Sequence, residues 1–381
     1  MIMKIRSFFI AMLAAVSCAP TYTAPVEASQ VGFAISFLKN VNGVTPKTEN
    51  VVVSPYSAAV TLSMLAEGAE GQTRTEFDAA LGNILYRAED LGGNDTVVVK
   101  SANSLWLDDD FSPRNRYVSL LQKDFDAFLD VEDFSSPVAV QAINNWCMEH
   151  TEGKITGILD RLDPNCVMVL VNALYFNAPW ENEFEPSMTS AQVFHGVSGD
   201  SEVRMMRGEG YYMYAESNGF QIIQLPYVGQ KYAMYVMLPP AGSDLGRLIS
   251  KADESAYRTA MDMLSQQKVR VFLPRFMVET SMGLNGPLQN MGIKTAFTSA
   301  ADFGGIAEMG PLSLGLVKQK CYVDVAEKGT EAAAVTAAQI RLTSVRPVAK
   351  VPVMLVDRPF VFVIADGESR NILFAGKIVN L

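Results

Sequence analysis

GTEAAAVTAAQIRLTSVRPVAK, residues 329–350, lies just before the most hydrophobic segments of the chain. Propensity alone makes its first half a helix start: Gly329-Thr330-Glu331 offers a cap, and Ala332 to Ala338 is rich in the best helix former. Such a helix would have no core-facing stripe, because Val335 is the only apolar residue larger than threonine between Thr330 and Gln339. A period of two fits better. Thr330, Ala332, Ala334, Thr336 and Ala338 then share one face, all small and uncharged, and Glu331, Ala333, Val335, Ala337 and Gln339 share the other. No glycine or proline interrupts residues 330–346, as an interior strand requires. From Thr330 to Thr343 the chain would make a strand of about 46 Å. As a loop, the segment exceeds the length at which a structureless connection is usually functional or disordered.

The segment before it, Ser313 to Glu327, also has period two. Val317, Gln319, Cys321, Val323 and Val325 form one face; Lys318, Lys320, Tyr322 and Asp324 form the other. Gln319 is the exception on the apolar face. A buried amide needs partners, so Gln319 belongs either to a polar cluster inside the core or to a wetted sheet edge.

Amphipathic helices are predicted at Val31 to Leu38, Pro55 to Glu67 and Thr73 to Leu81, and proline-opened helices at Pro113 to Asp124 and Pro137 to His150. Val97 to Leu107 reads as a strand, and the continuous apolar run Val167 to Phe176 as one covered on both faces. Further β segments are predicted at Val203 to Met206, Tyr211 to Tyr214, Phe220 to Pro226 and Tyr232 to Leu238. A helical interval follows near Asp244 to Gln267, then β structure at Val269 to Leu273, Met354 to Ala365 and Asn371 to Val379. Interleaved segments without a βαβ rhythm indicate an α+β fold on large sheets.

The bulk composition, 49% hydrophobic and 19% charged over 381 residues, is that of a globular protein with ample core material. A formal charge of −10 implies no nucleic-acid groove and no heparin-type basic patch. Residues 1–17 read as a signal peptide, with Lys4 and Arg6 before the short apolar run Ser7 to Ser17; their removal would take the charge to −12. Cys18, in Ala15-Val16-Ser17-Cys18, resembles a bacterial lipoprotein cleavage site that lacks the usual leucine. Residues 18–30 then form a lipid-anchored tether. Ordinary cleavage with a soluble product is the alternative. Cys147, Cys166 and Cys321 sit among apolar residues without metal-site spacing and read as buried thiols.

No catalytic motif is found. The only histidines are His150 and His195, and there is no G-x-S-x-G elbow, H-E-x-x-H, phosphate loop, paired C-x-x-C or G-x-G-x-x-G. No cofactor and no metal site are expected.

With these residues in view, the chain resembles the serpin family. EKGTEAAAVT (Glu327 to Thr336) is similar to the family's proximal hinge, and NVVVSPYSAAVTLSMLAEGAEGQT (Asn50 to Thr73) to the segment with two shutter serines, here Ser54 and Ser57. INNWCMEHTEGKI (Ile143 to Ile155) and LVNALYFNAPWENEF (Leu170 to Phe184) also match. The second holds the shutter asparagine Asn172 and the breach tryptophan Trp180. LPRFMVE (Leu273 to Glu279), LQNMGIKTAF (Leu288 to Phe297) and DRPFVFVI (Asp357 to Ile364) complete the resemblance. One position departs from it: the family's shutter histidine aligns with Gln319, an amide that can bridge Ser54 and Asn172 but does not titrate.

The resemblance implies a single domain over residues 31–381, with three β-sheets, about nine helices and an exposed reactive-centre loop at about 329–350. It implies no enzyme but an inhibitor of serine-type and possible cysteine-type endopeptidases: the loop is cut as substrate, and the hinge, Glu327, Gly329, Thr330, Glu331, Ala332, Ala333, Ala334 and Thr336, carries it into the main sheet while the protease is held as an acyl-enzyme. The family's commonest spacing puts the scissile bond at Thr343-Ser344; shorter spacings give Leu342-Thr343 or Arg341-Leu342. The implied partners are trypsin-, chymotrypsin- or elastase-like endopeptidases and a lipid anchor in a membrane, with no nucleic acid and no heparin-type activator, for a monomer at a bacterial cell surface or outer membrane. A non-inhibitory surface binding protein on the same fold is the alternative.

Overall fold

The computed structural model describes residues 29–87, 96–163, 165–307, 312–330 and 351–381. The leader, Cys18, the hinge residues Glu331, Ala332, Ala333, Ala334 and Thr336, and the bait residues Arg341, Leu342, Thr343 and Ser344 lie outside these ranges.

Along the chain run α1 (Gln30–Val44), β1 (Val51–Val53), α2 (Pro55–Gly68), α3 (Gly71–Ala80), β2 (Val98–Asp108), α4 (Asn115–Phe125), β3 (Phe128–Glu132), α5 (Pro137–His150) and β4 (Met168–Pro179). After them come β5 (Ser190–Gly196), β6 (Gly199–Ser217), β7 (Phe220–Pro226), β8 (Tyr232–Leu238), α6 (Leu245–Lys251), α7 (Glu254–Asp262), β9 (Ser265–Pro274), β10 (Phe276–Gly283) and α8 (Asn285–Asn290). The last elements are β11 (Leu316–Ala326), β12 (Gly329–Thr330), β13 (Val353–Leu355), β14 (Phe360–Asp366) and β15 (Ile372–Ile378). Among the described residues there are thus eight α-helices, besides two short 3-10 turns.

Local chemistry sets several helix starts. Ser54 precedes Pro55, and its hydroxyl accepts the Ser57 N–H at 3.1 Å, so α2 begins with a cap and a preset φ. Ser29, Ser136, Asp244 and Asp253 cap α1, α5, α6 and α7 in the same way. The Asp253 cap also corrects the single helical interval expected from Asp244 to Gln267: the chain leaves α6 at Ala252 to present Asp253, starts α7, and is already strand at Ser265. The expected β segment Met354 to Ala365 is likewise broken, by Asp357-Arg358-Pro359, where proline removes a ladder donor. Conversely, Val203 to Met206 and Tyr211 to Tyr214 are parts of one strand, β6, because the glycines between them continue the pairing with β9.

The strands form two hydrogen-bonded networks. One has the order β10-β11-β12-β4-β2-β3, with β11 also paired to β4; the other has β1-β15-β14-β8-β7-β6-β9-β13, with β5 on β6. The larger network has two arms that share the 19-residue β6, one through β7 and one through β9 and β13. The three expected sheets are therefore joined here into two networks.

A core of side chains from β4, β10 and β11 packs against β6, β8, β9, β14 and β15. A second core lies between the six-stranded sheet and α1 to α4, and α5 covers the other face of β2 and β4 through Ile143, Trp146 and Cys147. β4 is consequently covered on both faces, as its apolar run predicts. On β11, Val317, Gln319, Cys321, Val323 and Val325 are all buried and alternate with half-buried residues. Cys147, Cys166 and Cys321 are buried free thiols, and burial pushes Cys147 up to about 12.

Candidate functional site: a strand-wide slot between β4 and β11

β4 and β11 are parallel and directly bonded from Leu316 opposite Val169 to Tyr322 opposite Tyr175. Above that point they separate, and β12 lies between them: Thr330 faces Val325 on one side and Ala178 on the other, antiparallel to both. Two residues thus already occupy the top of an interior strand position. Gly329 makes the entry. Its φ is +149°, and a Cβ there would stand 2.2 Å from the Ala178 carbonyl oxygen and 2.5 Å from the Pro179 Cα, so only glycine fits.

Aromatic and charged groups hold the top of the slot. Trp180 is 2% exposed; its indole N–H donates to the Ala326 carbonyl at 2.9 Å, and its ring stacks on Tyr227 at 4.6 Å. The Tyr227 hydroxyl meets the Thr330 hydroxyl at 2.7 Å, with both residues fully buried. Glu327 accepts from Thr189 at 2.5 Å and from the Arg275 guanidinium at 2.6 and 2.8 Å. Burial alone would push the Glu327 carboxyl up; the bonds from Arg275 and Thr189 outweigh it and hold it below the usual carboxylate range.

Lower down, Gln319 is 1% exposed, which removes the wetted-edge alternative. Its Oε1 accepts the Ser54 N–H at 3.0 Å, while its Nε2 donates to the Ser54 carbonyl at 3.0 Å and to Asn172 Oδ1 at 2.8 Å. Asn172 Nδ2 donates in turn to Asn103 Oδ1 at 2.6 Å, to Thr61 Oγ1 at 3.2 Å and to the Ser57 hydroxyl. Ser54 Oγ donates to the Leu373 carbonyl at 2.8 Å, tying α2 to β15. The amide of β11, the amide of β4 and the first turn of α2 are therefore one buried cluster beneath the inserted residues. None of its side chains is ionisable.

Asn103, Thr61 and Ser101 were not singled out from the sequence. Ser101 Oγ meets Ser57 Oγ at 3.0 Å; Ser57 and Thr61 are spaced i, i+4 on α2, and Ser101 and Asn103 alternate on β2, so each pair shares a face, but no local pattern brings the two faces together. The histidines lie elsewhere: His150 stacks on Trp146 at 4.5 Å, and His195 is an exposed partner of Asp200 at 2.9 Å. No helix among the described residues is long and apolar enough to cross a membrane.

A family model described as serpin (serine protease inhibitor) matches residues 28–381. An uncharacterised serpin-like protein of Thermococcus kodakarensis is 31% identical over 370 residues, covering 93% of this chain and 86% of its own. Leukocyte elastase inhibitor of Sus scrofa is 31% identical over 376 residues, covering 93% and 98%. The crystal structure of human thyroxine-binding globulin complexed with thyroxine superposes with a TM-score of 0.83 at 26% identity, covering 93% of this chain and 98% of that one. The slot, its glycine entry and these matches along nearly the whole length agree: the chain belongs to the serpin family.

Proposed function

We propose that the protein inhibits serine endopeptidases, with cysteine endopeptidases as a further class, by acting as a suicide substrate whose cut loop enters the β4–β11 slot. The observation that carries this reading is β12. Continued in its register, the strand would set Ala332 between Val323 and Phe176, Ala334 between Cys321 and Leu174, and Thr336 between Gln319 and Asn172. These flanking residues are all buried, so only small side chains are admitted, and the sequence supplies them. Insertion replaces one parallel interface with two antiparallel ones. About a dozen backbone groups would gain ladder bonds worth roughly 1 kcal/mol net each. The Thr336 hydroxyl can both donate and accept, as a residue wedged between two amides must.

The bait is assigned to Thr343-Ser344, with Leu342 and Arg341 as alternatives, for elastase-, chymotrypsin- or trypsin-like enzymes. Residues 1–17 support export and Cys18 a lipid anchor at a bacterial surface or outer membrane, with a soluble secreted form as the other outcome; labelled palmitate incorporated by the wild type and not by Cys18→Ala tests this. Most members of the family inhibit proteases. Incubation with a protease panel tests the function. A complex that survives denaturing electrophoresis, with release of the peptide from residue 344 onward, is expected; cleavage with no complex and no gain in thermal stability would overturn it.

A second reading, a non-inhibitory binding protein, is favoured by a cavity of about 600 Å³ lined by Ala34, Leu38, Leu245, Ile249, Tyr257 and Val363, beneath α6 and α7. Its size and apolar walls suit one small molecule. This reading predicts that loop cleavage leaves the melting temperature unchanged.

A further inference from the structure

β3 ends the six-stranded sheet, and Phe128, Asp130 and Glu132 alternate along the face it turns towards α5. The Phe128 ring lies 5.4 Å from Trp106 and 6.0 Å from Trp146 of α5, centre to centre, and His150 stacks on Trp146 at 4.5 Å. Phe128 is nevertheless 38% exposed. Trp146 is buried, yet its indole N–H has no hydrogen-bond partner among the described residues. An unpaired buried donor is costly, and an acceptor brought from outside would relieve it.

Carboxylates crowd the same edge of the sheet. Asp108 of β2 stands beside Glu132, and one carboxylate oxygen each from Asp108, Asp109 and Asp133 lie within 4.8 Å of one another. Neither these side chains nor Asp110 and Asp130 are in an ion pair with a cation among the described residues. Like charges this close repel, and a cationic partner would offset the repulsion. A second copy of this chain brings the same carboxylates and is repelled. A lone divalent cation would satisfy the carboxylates and leave the exposed ring and the indole N–H as they are. A lysine- and arginine-rich segment answers all three. Its cations pair with the carboxylates and lie on the rings, and its main-chain carbonyls accept hydrogen bonds.

We propose that the β3–α5 face is a docking surface for a lysine- and arginine-rich segment of a partner protein, held by the Phe128 and Trp146 rings and the carboxylates beside them. The inference does not rest on the inhibitory reading, because the contact uses residues outside both the slot and the loop. Charge complementarity speeds encounter and makes it salt-dependent.

The test is the binding of a dye-labelled nona-arginine peptide to the full chain, followed by fluorescence polarisation over a range of ionic strength. Two variants, Asp130→Asn with Glu132→Gln and Phe128→Ala, are compared with wild type. The control is Glu183→Gln with Glu368→Gln, which removes two exposed carboxylates on other segments and so the same charge. The wild type is expected to bind, more weakly as salt rises. Affinity should fall about tenfold in the Asp130/Glu132 pair and about threefold in Phe128→Ala, and by less than about twofold in the control. If Phe128→Ala melts early, Phe128→Leu, which keeps apolar volume without the ring, is read in its place. Failure of the wild type to bind would overturn the docking surface. Equal weakening in the control would reduce it to bulk acidity, and full affinity without the ring would reduce it to the carboxylates alone; either result overturns it. Displacement of the peptide by an equal concentration of calcium would overturn it in favour of a cation site.

Discussion

The Thr330 hydroxyl lies 2.7 Å from the Tyr227 phenol at the top of the slot, with both side chains fully buried. Tyr227 is itself clamped by the stacked ring of Trp180. Thr330 is thus docked between β4 and β11 by its backbone pairing on both sides, and its side chain is held there by a hydrogen bond between two hydroxyls.

Tyr227→Phe removes that bond and leaves the Thr330 hydroxyl buried without this partner, at a cost of about 1–3 kcal/mol. The hinge should then leave the slot more often. Amide exchange at the Gly329–Thr330 peptide is expected to rise by about tenfold or more, while covalent trapping of protease persists. Unchanged exchange would show that Tyr227 does not hold the hinge.

Thr330→Arg places a guanidinium between Val325 and Ala178, both fully buried. Burying an unpaired charge there is costly, so insertion should stall at its first step. The variant is expected to be cleaved as a substrate, with the yield of covalent complex down about tenfold or more. A complex formed at wild-type yield on denaturing gels would refute the insertion mechanism.

Some of this was legible in the sequence. Gln319 stood out because period two on β11 is regular, so one amide among valines and a cysteine marks itself. The run of small residues Ala332 to Ala334 was equally plain, and it lies outside the described residues. The contact of Tyr227 with Thr330 was not, because it joins residues 103 apart and depends on where β12 enters between two strands. Asn103 and Thr61 were hidden for a related reason: which polar residues meet is set by the pairing of β2 with β4 and the placement of α2, neither of which is a local property. The half-buried strands β3, β5 and β10 were overlooked because exposed polar positions dilute their apolar alternation.

The Glu327–Arg275 pair makes stability depend on acid. The folded carboxyl titrates below its ordinary value, so its contribution is complete above about pH 4.3 and is lost as pH falls through the folded value. Glu327→Gln should lower stability at neutral pH by about 1–3 kcal/mol, nearer the lower figure because the Arg275 side chain is 44% exposed. Melting curves of the two proteins should converge as the pH falls through the folded value. A gap that stays constant to acid would place the carboxylate's role elsewhere.

The Gln319 cluster predicts the opposite behaviour, indifference to pH, and a single substitution should abolish it. Gln319 accepts from Ser54 and donates to Ser54 and Asn172 with no group that titrates. Once corrected for the protease's own profile, the rate of trapping by the wild type should be flat between about pH 5 and 8. Gln319→His keeps one acceptor and one donor while neutral, enough for the Ser54 N–H and Asn172 Oδ1. When protonated it has donors only, so the Ser54 N–H loses its acceptor and an unpaired cation is buried. Its folded pKa must therefore lie below the usual histidine value, and the stability it confers is lost as pH falls through that value. Acidification should lower the melting temperature of the variant and speed opening of the β4–β11 pair, visible as faster trapping at low pH. A step of the same size in the wild type would mean that a group outside this cluster gates the slot.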